Sequence, residues 1–400
     1  MRSGTYQTQP TGYRAFVPRP LPPEPPLRMN ADLTRLLSDA DRALGRLDGV
    51  ASVLPNPDLF VAMYVRHEAV LSSQIEGTQS TLEDVLEFEA DGPHDERPRD
   101  VEEVVHYVGA MNHGLRRLGE LPLSLRLIRE IHEKLLTGVR GSEREPGEFR
   151  RSQNWIGPRG CNLNEAEFVP PPPHEMKNAL SALERFLHDR ASLPTLIHSA
   201  LAHAQFETIH PFLDGNGRVG RLLITLLLCE RDILARPLLY LSYYFKAHRA
   251  QYYDRLTAVR NDGDWEGWVK FFLRGVYEVS LGATDTARAI LNMRQEHRDR
   301  ITSDASGAAN AVRLLDRLYE QSIISVRLAE RCLGCSYVTA ANVIGELERL
   351  GILREFTGRQ RNRRWRYEQY LELFERQALR DGGEAERGPT QTTAGEDAHG

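Results

Sequence analysis

Residues 210–221, HPFLDGNGRVGR, combine side chains that could bind a phosphate group. A glycine-rich turn at 215–217 leads into a helix, and the free N–H groups at a helix start bind anions. Arg218 and Arg221 are three residues apart, so both would project from one side of the first helical turn toward the same anion. The pattern therefore predicts a site for a group with several negative charges, such as a polyphosphate.

Two other residues of the same run could take part in chemistry. Asp214 lies beside the predicted cradle, and Mg²⁺ is commonly held by one carboxylate together with phosphate oxygens. His210 lies four residues earlier and could take a proton from an incoming hydroxyl group. A Gly-Asn-Gly sequence alone is most often only a turn. A plain turn does not explain the histidine, the aspartate and two arginines directly before the uncharged stretch 222–229, so we interpret the run as a functional site.

Helical periodicity predicts the elements that position this run. Apolar residues recur at spacings of three and four in most of the chain between about 32 and 298. One exception is the segment 147–173, here called the flap, where β-forming residues flank a Gly-Pro-Arg-Gly turn and predict an exposed hairpin. The expected fold class is therefore all-α, with a small β-hairpin flap.

Composition divides the chain into five parts. Residues 1–28 are proline-rich and are expected to lie extended on the surface. Residues 29–118 form an N-terminal helical region, and residues 119–298 form the domain that carries the catalytic run. The order of elements in 305–376 is helix, helix, turn, helix and strand-turn-strand, which predicts a winged helix-turn-helix domain. Residues 380–400 contain few apolar side chains and are expected to be disordered.

The strand-turn-strand of this last domain, the wing, is basic. Against a single glutamate, Glu355, it carries Arg354, Arg359, Arg361, Arg363, Arg364 and Arg366. Such a wing could bind the phosphates of DNA, or it could pack on domain 119–298 or on a protein partner. The sequence favours neither reading over the other.

Whole-chain properties limit the classes of function. The 400 residues suffice for two or three domains, and the net charge of -5 argues against a protein that coats nucleic acid. Four cysteines are too few for a disulfide framework, and the N-terminus lacks the pattern of a signal peptide. The longest apolar run, 222–229, is much shorter than the roughly 18 to 20 residues of a membrane span. We therefore expect a cytoplasmic protein without a membrane segment.

The run HPFLDGNGRVGR resembles the signature of the Fic family, His-Pro-Phe-x-Asp/Glu-Gly-Asn-Gly-Arg-x-x-Arg, and has every fixed position. The resemblance implies a helical fold and the transfer of AMP from Mg·ATP to a hydroxyl group of a target protein. It implies that His210 is the general base, that Asp214 holds Mg²⁺ and that Arg221 holds the γ-phosphate. The residues that it assigns to ATP binding in this loop are Gly215, Asn216, Gly217, Arg218, Val219, Gly220 and Arg221.

Two further segments are similar to parts of that family. The flap is similar to the family's flap, whose edge holds the Ser, Thr or Tyr segment of the target by strand addition. The segment 247–265 resembles the part that closes over the nucleoside. By this resemblance Tyr253 is an adenosine contact, and Tyr252 and Asn261 are weaker candidates.

The segment LSSQIEG resembles the family's inhibitory motif, Ser/Thr-x-x-x-Glu-Gly/Asn, with Ser72, Glu76 and Gly77 in the matching positions. The resemblance implies that residues 72–77 form an inhibitory helix acting within the same chain. Glu76 would then reach the ATP site and pair with Arg221, so that the arginine cannot hold the γ-phosphate.

The preferred hypothesis is therefore an autoinhibited protein adenylyltransferase that modifies a target protein and itself. One alternative is another reaction of the same site, namely removal of AMP or transfer of phosphate or a different nucleotide. The other is a DNA-binding regulator that only senses nucleotide, although the intact His210 counts against it. DNA bound through the winged helix and a second copy in a homodimer are further candidate partners.

Overall fold

The structure is a computed structural model that describes residues 1–52, 57–91, 100–139, 141–158, 160–305, 307–359 and 361–374. In chain order the strands and helices are β1 Gly4–Thr8, β2 Arg14–Pro18, α1 Ala31–Ser52, α2 Pro57–Ile75, α3 Leu82–Asp91, α4 Val101–Arg117, α5 Leu125–Leu136, α6 Pro173–His188, α7 Thr195–Ile209, α8 Asn216–Glu230, α9 Ser242–Ala247, α10 Arg249–Asp262, α11 Trp265–Asp304, α12 Ala308–Leu318, β3 Ile323–Ser325, α13 Val326–Leu333, α14 Tyr337–Arg349, β4 Arg354–Glu355 and β5 Arg364–Arg366. The prediction of a mainly helical protein is confirmed.

Helices α7 and α8 form the centre of the core and carry the predicted catalytic run between them. Every residue of α7 from Leu196 to Ile209 is buried. The first two turns of α8 carry Arg218 and Arg221, and residues 222–228 after them are buried and, apart from Thr225, apolar. A helix that is apolar on all sides must be enclosed by other helices. Here α4, α5 and α6 pack around this pair, together with α10 and α11.

Helix α11 is longer than the sequence predicts. It begins after Asp264, whose side chain accepts from the N–H of Gly267, and continues to Asp304. The expected domain end at residue 298 therefore lies inside this helix. The last turns of α11 contain neither glycine nor proline, so no helix-breaking residue ends it there. Its N-terminal limit is set by Gly263, which ends α10 in a left-handed conformation.

The N-terminal segment is folded rather than simply extended on the surface. Strands β1 and β2 pair antiparallel, and Phe16 and Ala15 are fully buried. The N–H of Phe16 donates to the carbonyl of Val169 in the flap at 2.9 Å. The expectation of a merely draped segment was wrong, because the apolar residues 15–17 pair with β1 and Phe16 also bonds the flap.

The flap differs from the predicted hairpin. Among its described residues, one antiparallel bridge joins Ile156 to Phe168, and no strand is formed. Prolines 170–173 have no N–H to donate, so a ladder cannot extend past the bridge on that side. Arg159, in the expected Gly-Pro-Arg-Gly turn, lies outside the described residues.

The C-terminal part packs against α2 and α3. Its strands form one antiparallel sheet in the order β3, β5, β4, and its helices α12 to α14 lie where the sequence places them. Arg364 and Arg366 in β5 form ion pairs with Glu87 and Glu83 of α3 at 3.4 and 3.1 Å. The ring of Phe374 lies 5.2 Å from that of Tyr64 in α2. Residues 380–400, expected to be disordered, lie outside the described residues.

None of the helices in the described part of the chain is both long and apolar enough to span a bilayer.

Candidate active site

The predicted catalytic run forms the tight loop between α7 and α8. His210 follows α7 in a left-handed conformation, with a φ of 48°. Gly215 has a φ of 76°, and α8 begins at the next residue. A left-handed residue other than glycine is uncommon and persists where its surroundings hold it. The conformation of His210 therefore needs support from outside the loop.

Arg150, a fully buried residue of the flap, gives this support. Its Nε donates to the carbonyl of His210 at 2.9 Å, and its Nη2 donates to the carbonyl of Pro171 at 2.6 Å. Its backbone N–H donates to the carbonyl of Pro211 at 2.9 Å. The sequence does not single out Arg150, because residue type cannot distinguish a buried loop arginine from an exposed one.

His132 of α5 supports the other end of the loop. Its Nδ1 accepts from the N–H of Gly147 at 2.8 Å, so its Nε2 carries the proton and donates to the carbonyl of Asp214 at 3.0 Å. The ring stacks on Phe212, with centroids 3.6 Å apart. Burial lowers the pKa of His132 to about 4, which keeps the ring neutral. This residue is absent from the predicted site because its helix is an ordinary amphipathic one.

His210 itself lies in an environment that keeps it uncharged. Burial and, next, the positive charge of Arg150 lower the pKa of His210 to about 4. Its Nδ1 is buried and has no hydrogen-bond partner in the described part of the chain. At neutral pH the imidazole is therefore a free base that can accept a proton.

The first residues of α8 are those predicted to bind an anion, and their side chains have different partners. Asn216 uses its amide to hold the loop, since its Oδ1 accepts from the N–H of Phe212 and its Nδ2 donates to the carbonyl of Phe212, each at 2.8 Å. Its backbone N–H, with that of Gly217, belongs to the unpaired donors of a helix start. Val219 and Gly220 are buried and face the core. The backbone N–H groups of Asn216 and Gly217 are thus the ones available to phosphate, since the N–H of Val219 donates to the carbonyl of Gly215 at 3.0 Å.

The two arginines of the run point to different partners. Arg218 forms an ion pair with Glu103 of α4 at 3.2 Å, and both side chains are almost completely buried. It also lies 3.6 Å from a carboxylate oxygen of Asp214. The expectation that both arginines approach one anion is therefore only partly met. Glu103 could not be found from the sequence, because it is 115 positions away from its partner.

Arg221 contacts the predicted inhibitory segment. Its Nε donates to the hydroxyl of Ser72 at 2.8 Å, and its Nη2 donates to the carbonyl of Ser72 at 3.0 Å. The same Nη2 donates to Glu76 Oε1 at 2.6 Å. Burial opposes ionisation of Glu76, but the charge of Arg221 outweighs it and lowers the pKa of the carboxyl group. The predicted pair of Glu76 and Arg221 is present in the structure.

The carboxylate of Glu76 also lies on the cradle itself. A Cβ atom at position 217 would collide with Oε1 of Glu76, so the carboxylate lies directly against this glycine. Gly77 follows with a φ of 101°, a conformation that favours glycine and ends the segment after α2. An anionic group of the chain thus lies at the positive end of α8.

The three candidate nucleoside contacts occupy different environments. Tyr253 is 39 % exposed, and the guanidinium of Arg249 lies 5.4 Å from its ring centroid. Tyr252 is buried, and its hydroxyl bonds His203 Nε2 at 2.9 Å, so it belongs to the core. Asn261 accepts a hydrogen bond from Tyr6 of β1 at 2.8 Å. Tyr253 and Asn261 are therefore both exposed to a ligand, whereas Tyr252 is not.

Comparison with known families identifies this arrangement. Residues 34–116 match the family described as Fic/DOC family N-terminal, and residues 122–228 match the Fic/DOC family. The first match contains Glu76, and the second contains the whole loop from His210 to Arg221. The chain is a Fic family protein. Its site therefore lies within the two segments that define the family.

Two relatives named Protein adenylyltransferase Fic show how far the similarity reaches. The relative from Aedes aegypti is 32% identical over 211 residues, which cover 48% of this Fic chain and 38% of the relative. The relative from Culex quinquefasciatus is 34% identical over 151 residues, covering 37% and 27%. This Fic chain thus matches less than two fifths of either relative. A crystal structure of a Fic family protein from Desulfovibrio desulfuricans shares the fold, with a TM-score of 0.55 at 21% identity over 86% of this chain and 97% of that one.

Proposed function

We propose that this protein is an autoinhibited protein adenylyltransferase, which transfers AMP from Mg·ATP to a hydroxyl group of a target protein and of itself. One observation carries the proposal. The carboxylate of Glu76 is bonded to Arg221 at 2.6 Å and lies against Gly217 at the start of α8. This is where an anion is stabilised by free N–H groups, an arginine and the helix dipole. The name that both relatives carry, protein adenylyltransferase Fic, supports the same reading.

The proposed chemistry uses His210 as the base. The target hydroxyl oxygen attacks the α-phosphorus of ATP, a new P–O bond forms, and the bond to pyrophosphate breaks. The neutral His210 takes the hydroxyl proton during this step. The backbone N–H groups at 216 and 217 stabilise negative charge on the phosphates, and Arg221 positions the γ-phosphate once Glu76 has left it.

The flap is the proposed docking edge for the target segment. Trp155 and Ile156 are large apolar residues that are 42 % and 37 % exposed. The flap is also tied through Arg150 to the backbone of His210. A target chain added along this edge would therefore present its hydroxyl beside the base.

Asp214 is the proposed Mg²⁺ ligand, and its surroundings fit this role. Its side chain is 38 % exposed and its Oδ1 accepts from the N–H of Gly215 at 2.6 Å. A single accessible carboxylate beside a phosphate cradle suits an ion that keeps several waters. When bound, Mg²⁺ would neutralise charge on the phosphates of ATP.

The substitution Asp214→Ala is expected to weaken Mg²⁺-dependent nucleotide binding by roughly tenfold or more, the effect of losing one charged contact. Calorimetric titration of ATP with and without Mg²⁺ measures this. Asp285→Ala, which removes an exposed carboxylate of α11 outside the predicted nucleotide-binding segments, is the control. If Asp214→Ala keeps the wild-type Mg²⁺ requirement, a different carboxylate holds the ion.

We also propose that residues 305–376 are a winged helix-turn-helix domain. Three helices and an antiparallel sheet in the order β3, β5, β4 support this assignment. The alternative of a regulator that only senses nucleotide is less favoured, because His210 is held as an uncharged base. A pure sensor does not require that.

The proposed reaction is tested by incubating the protein, both wild type and Glu76→Gly, with Mg²⁺ and labelled ATP in the presence of a cell lysate. Label at the α-phosphate should appear on protein, and label at the γ-phosphate should not. Protein labelled from the γ-phosphate would instead indicate phosphate transfer. Absence of label from both, in a protein that binds ATP, would favour the nucleotide sensor.

A further inference from the structure

The six arginines of the wing fall into two sets. Three of them form ion pairs that attach the sheet to neighbouring residues: Arg354 with Glu368, Arg364 with Glu87 and Arg366 with both Glu83 and Glu368. The other three are exposed near the tip of the wing, and they are Arg359, Arg361 and Arg363. In the described part of the chain no ion pair joins Arg359 or Arg361 to a carboxylate, and Arg363 approaches Glu348 only at 3.9 Å.

The exposed set lines a groove between the wing and helix α14. The groove has a volume of about 830 Å³. Arg327 of α13 lies at its other side and is also exposed. The lining contains five arginines, Arg364 included, and one glutamate, Glu348. The charge of this groove is therefore strongly positive on a chain whose net charge is -5.

The face of α14 in this groove is shaped to approach another molecule closely. Tyr337, at its start and in the groove lining, is 53 % exposed, and the neighbouring Val338, outside that lining, is 67 % exposed. Ala341 and Gly345 follow at spacings of four, so small residues continue the same face. None of these positions is acidic. A helix that presents an exposed Tyr337, the small residues Ala341 and Gly345 and flanking arginines fits the major groove of B-form DNA, which is about 12 Å wide.

We propose that duplex DNA binds across the face of α14 and the tip of the wing, with Arg327, Arg359, Arg361 and Arg363 on its phosphates. The three ion-paired arginines Arg354, Arg364 and Arg366, here called the docked set, keep their carboxylate partners and take no part. This surface stays open while the sheet is attached to α3, so DNA binding does not require the C-terminal part to detach. The proposal is independent of the AMP transfer proposed above.

The test measures binding of the full-length protein to a fluorescent 30-base-pair duplex of mixed sequence, by anisotropy over a series of salt concentrations. The triple variant R359Q/R361Q/R363Q is compared with R354Q/R364Q/R366Q, which removes the same number of charges from the docked set. Each phosphate contact contributes about 0.9 to the slope of log K against log salt. We expect the first variant to lower the slope by about 2.7, three such contacts, and the second to leave it unchanged.

Two further measurements keep the assignment falsifiable. Tyr337→Ala should weaken binding without changing the salt slope, because its side chain carries no charge. A duplex RNA of the same sequence should bind more weakly, since its deep and narrow major groove does not admit a helix. Thermal melts check that both triple variants are folded, and if the docked-set variant is not, R354Q alone replaces it. No binding of the wild type at low salt, equal losses in the two sets, or equal affinity for RNA would each overturn the proposal.

Discussion

His210→Ala is expected to lower AMP transfer by about 10²- to 10⁴-fold, the usual contribution of a general base. ATP binding should stay close to the wild-type level, because the proposed proton acceptor acts on the target hydroxyl and the phosphate contacts come from α8. Incorporation of α-labelled AMP measures the first effect, and calorimetry measures the second. The assay is best run in the Glu76→Gly background, where the rate to be lost is larger.

The pH dependence gives an independent check on the same residue. The pKa of His210 is lowered to about 4, so the base form is retained as the pH falls from 8 to about 5. The rate of transfer should therefore lack the decline near pH 6.5 that an unperturbed imidazole would cause. His106→Ala, a change at a half-buried histidine of α4 whose ring bonds the carbonyl of Lys134, is the matched control and should leave the rate unchanged. If His210→Ala transfers AMP at the wild-type rate, His210 is not the general base.

Glu76→Gly is expected to raise auto-AMPylation by at least about tenfold. A hydrogen bond between charged groups contributes about 1.5 to 3 kcal/mol, and about 1.4 kcal/mol corresponds to a tenfold change. Removing the carboxylate frees Arg221 and the start of α8 for the phosphates of ATP. The two bonds from Arg221 to Ser72 remain in this variant, so the arginine keeps its position. Labelled AMP incorporated into the protein itself is the measurement.

Two companion variants identify the cause of that gain. Arg221→Ala in the Glu76→Gly background should cancel it, because the γ-phosphate then has no holder. Glu83→Gln removes a carboxylate that pairs with Arg366 and not with Arg221, and it should keep the wild-type rate. A gain as large in Glu83→Gln would mean that loosening of α3 activates the enzyme. If Glu76→Gly is no faster than wild type, the Glu76 and Arg221 pair is structural and the protein is not autoinhibited through it.

The catalytic run and the helical fold could be predicted because their signals are local. The loop 210–221 is a contiguous stretch whose residue types and spacing indicate its chemistry, and the apolar spacing of three and four fixes the helices on both sides. The pair of Glu76 and Arg221 joins residues 145 positions apart. It was predicted only because each partner lies in a recognisable motif of its own.

Only the tertiary structure decided which other residues complete the site. Arg150 is 60 positions from His210, and His132 is 82 positions from Asp214. Neither lies in a stretch with an unusual spacing, so each reads as an ordinary arginine or histidine until the chain folds. Burial then makes their hydrogen bonds strong determinants of the loop, since a buried polar group without a partner is costly.

The same limit explains why the wing, the flap and residues 1–28 differ from what the sequence predicts. The sequence placed six arginines in one wing, but ion pairs with Glu83, Glu87 and Glu368 separated them into docked and exposed sets. It also marked the flap as a hairpin and residues 1–28 as a draped segment, whereas the fold pairs Phe16 of the N-terminal hairpin with Val169 of the flap. Local pattern determines which segments become helices and which residues could do chemistry. Which charges are neutralised, and which backbone edge pairs with which, depends on contacts between segments far apart in sequence.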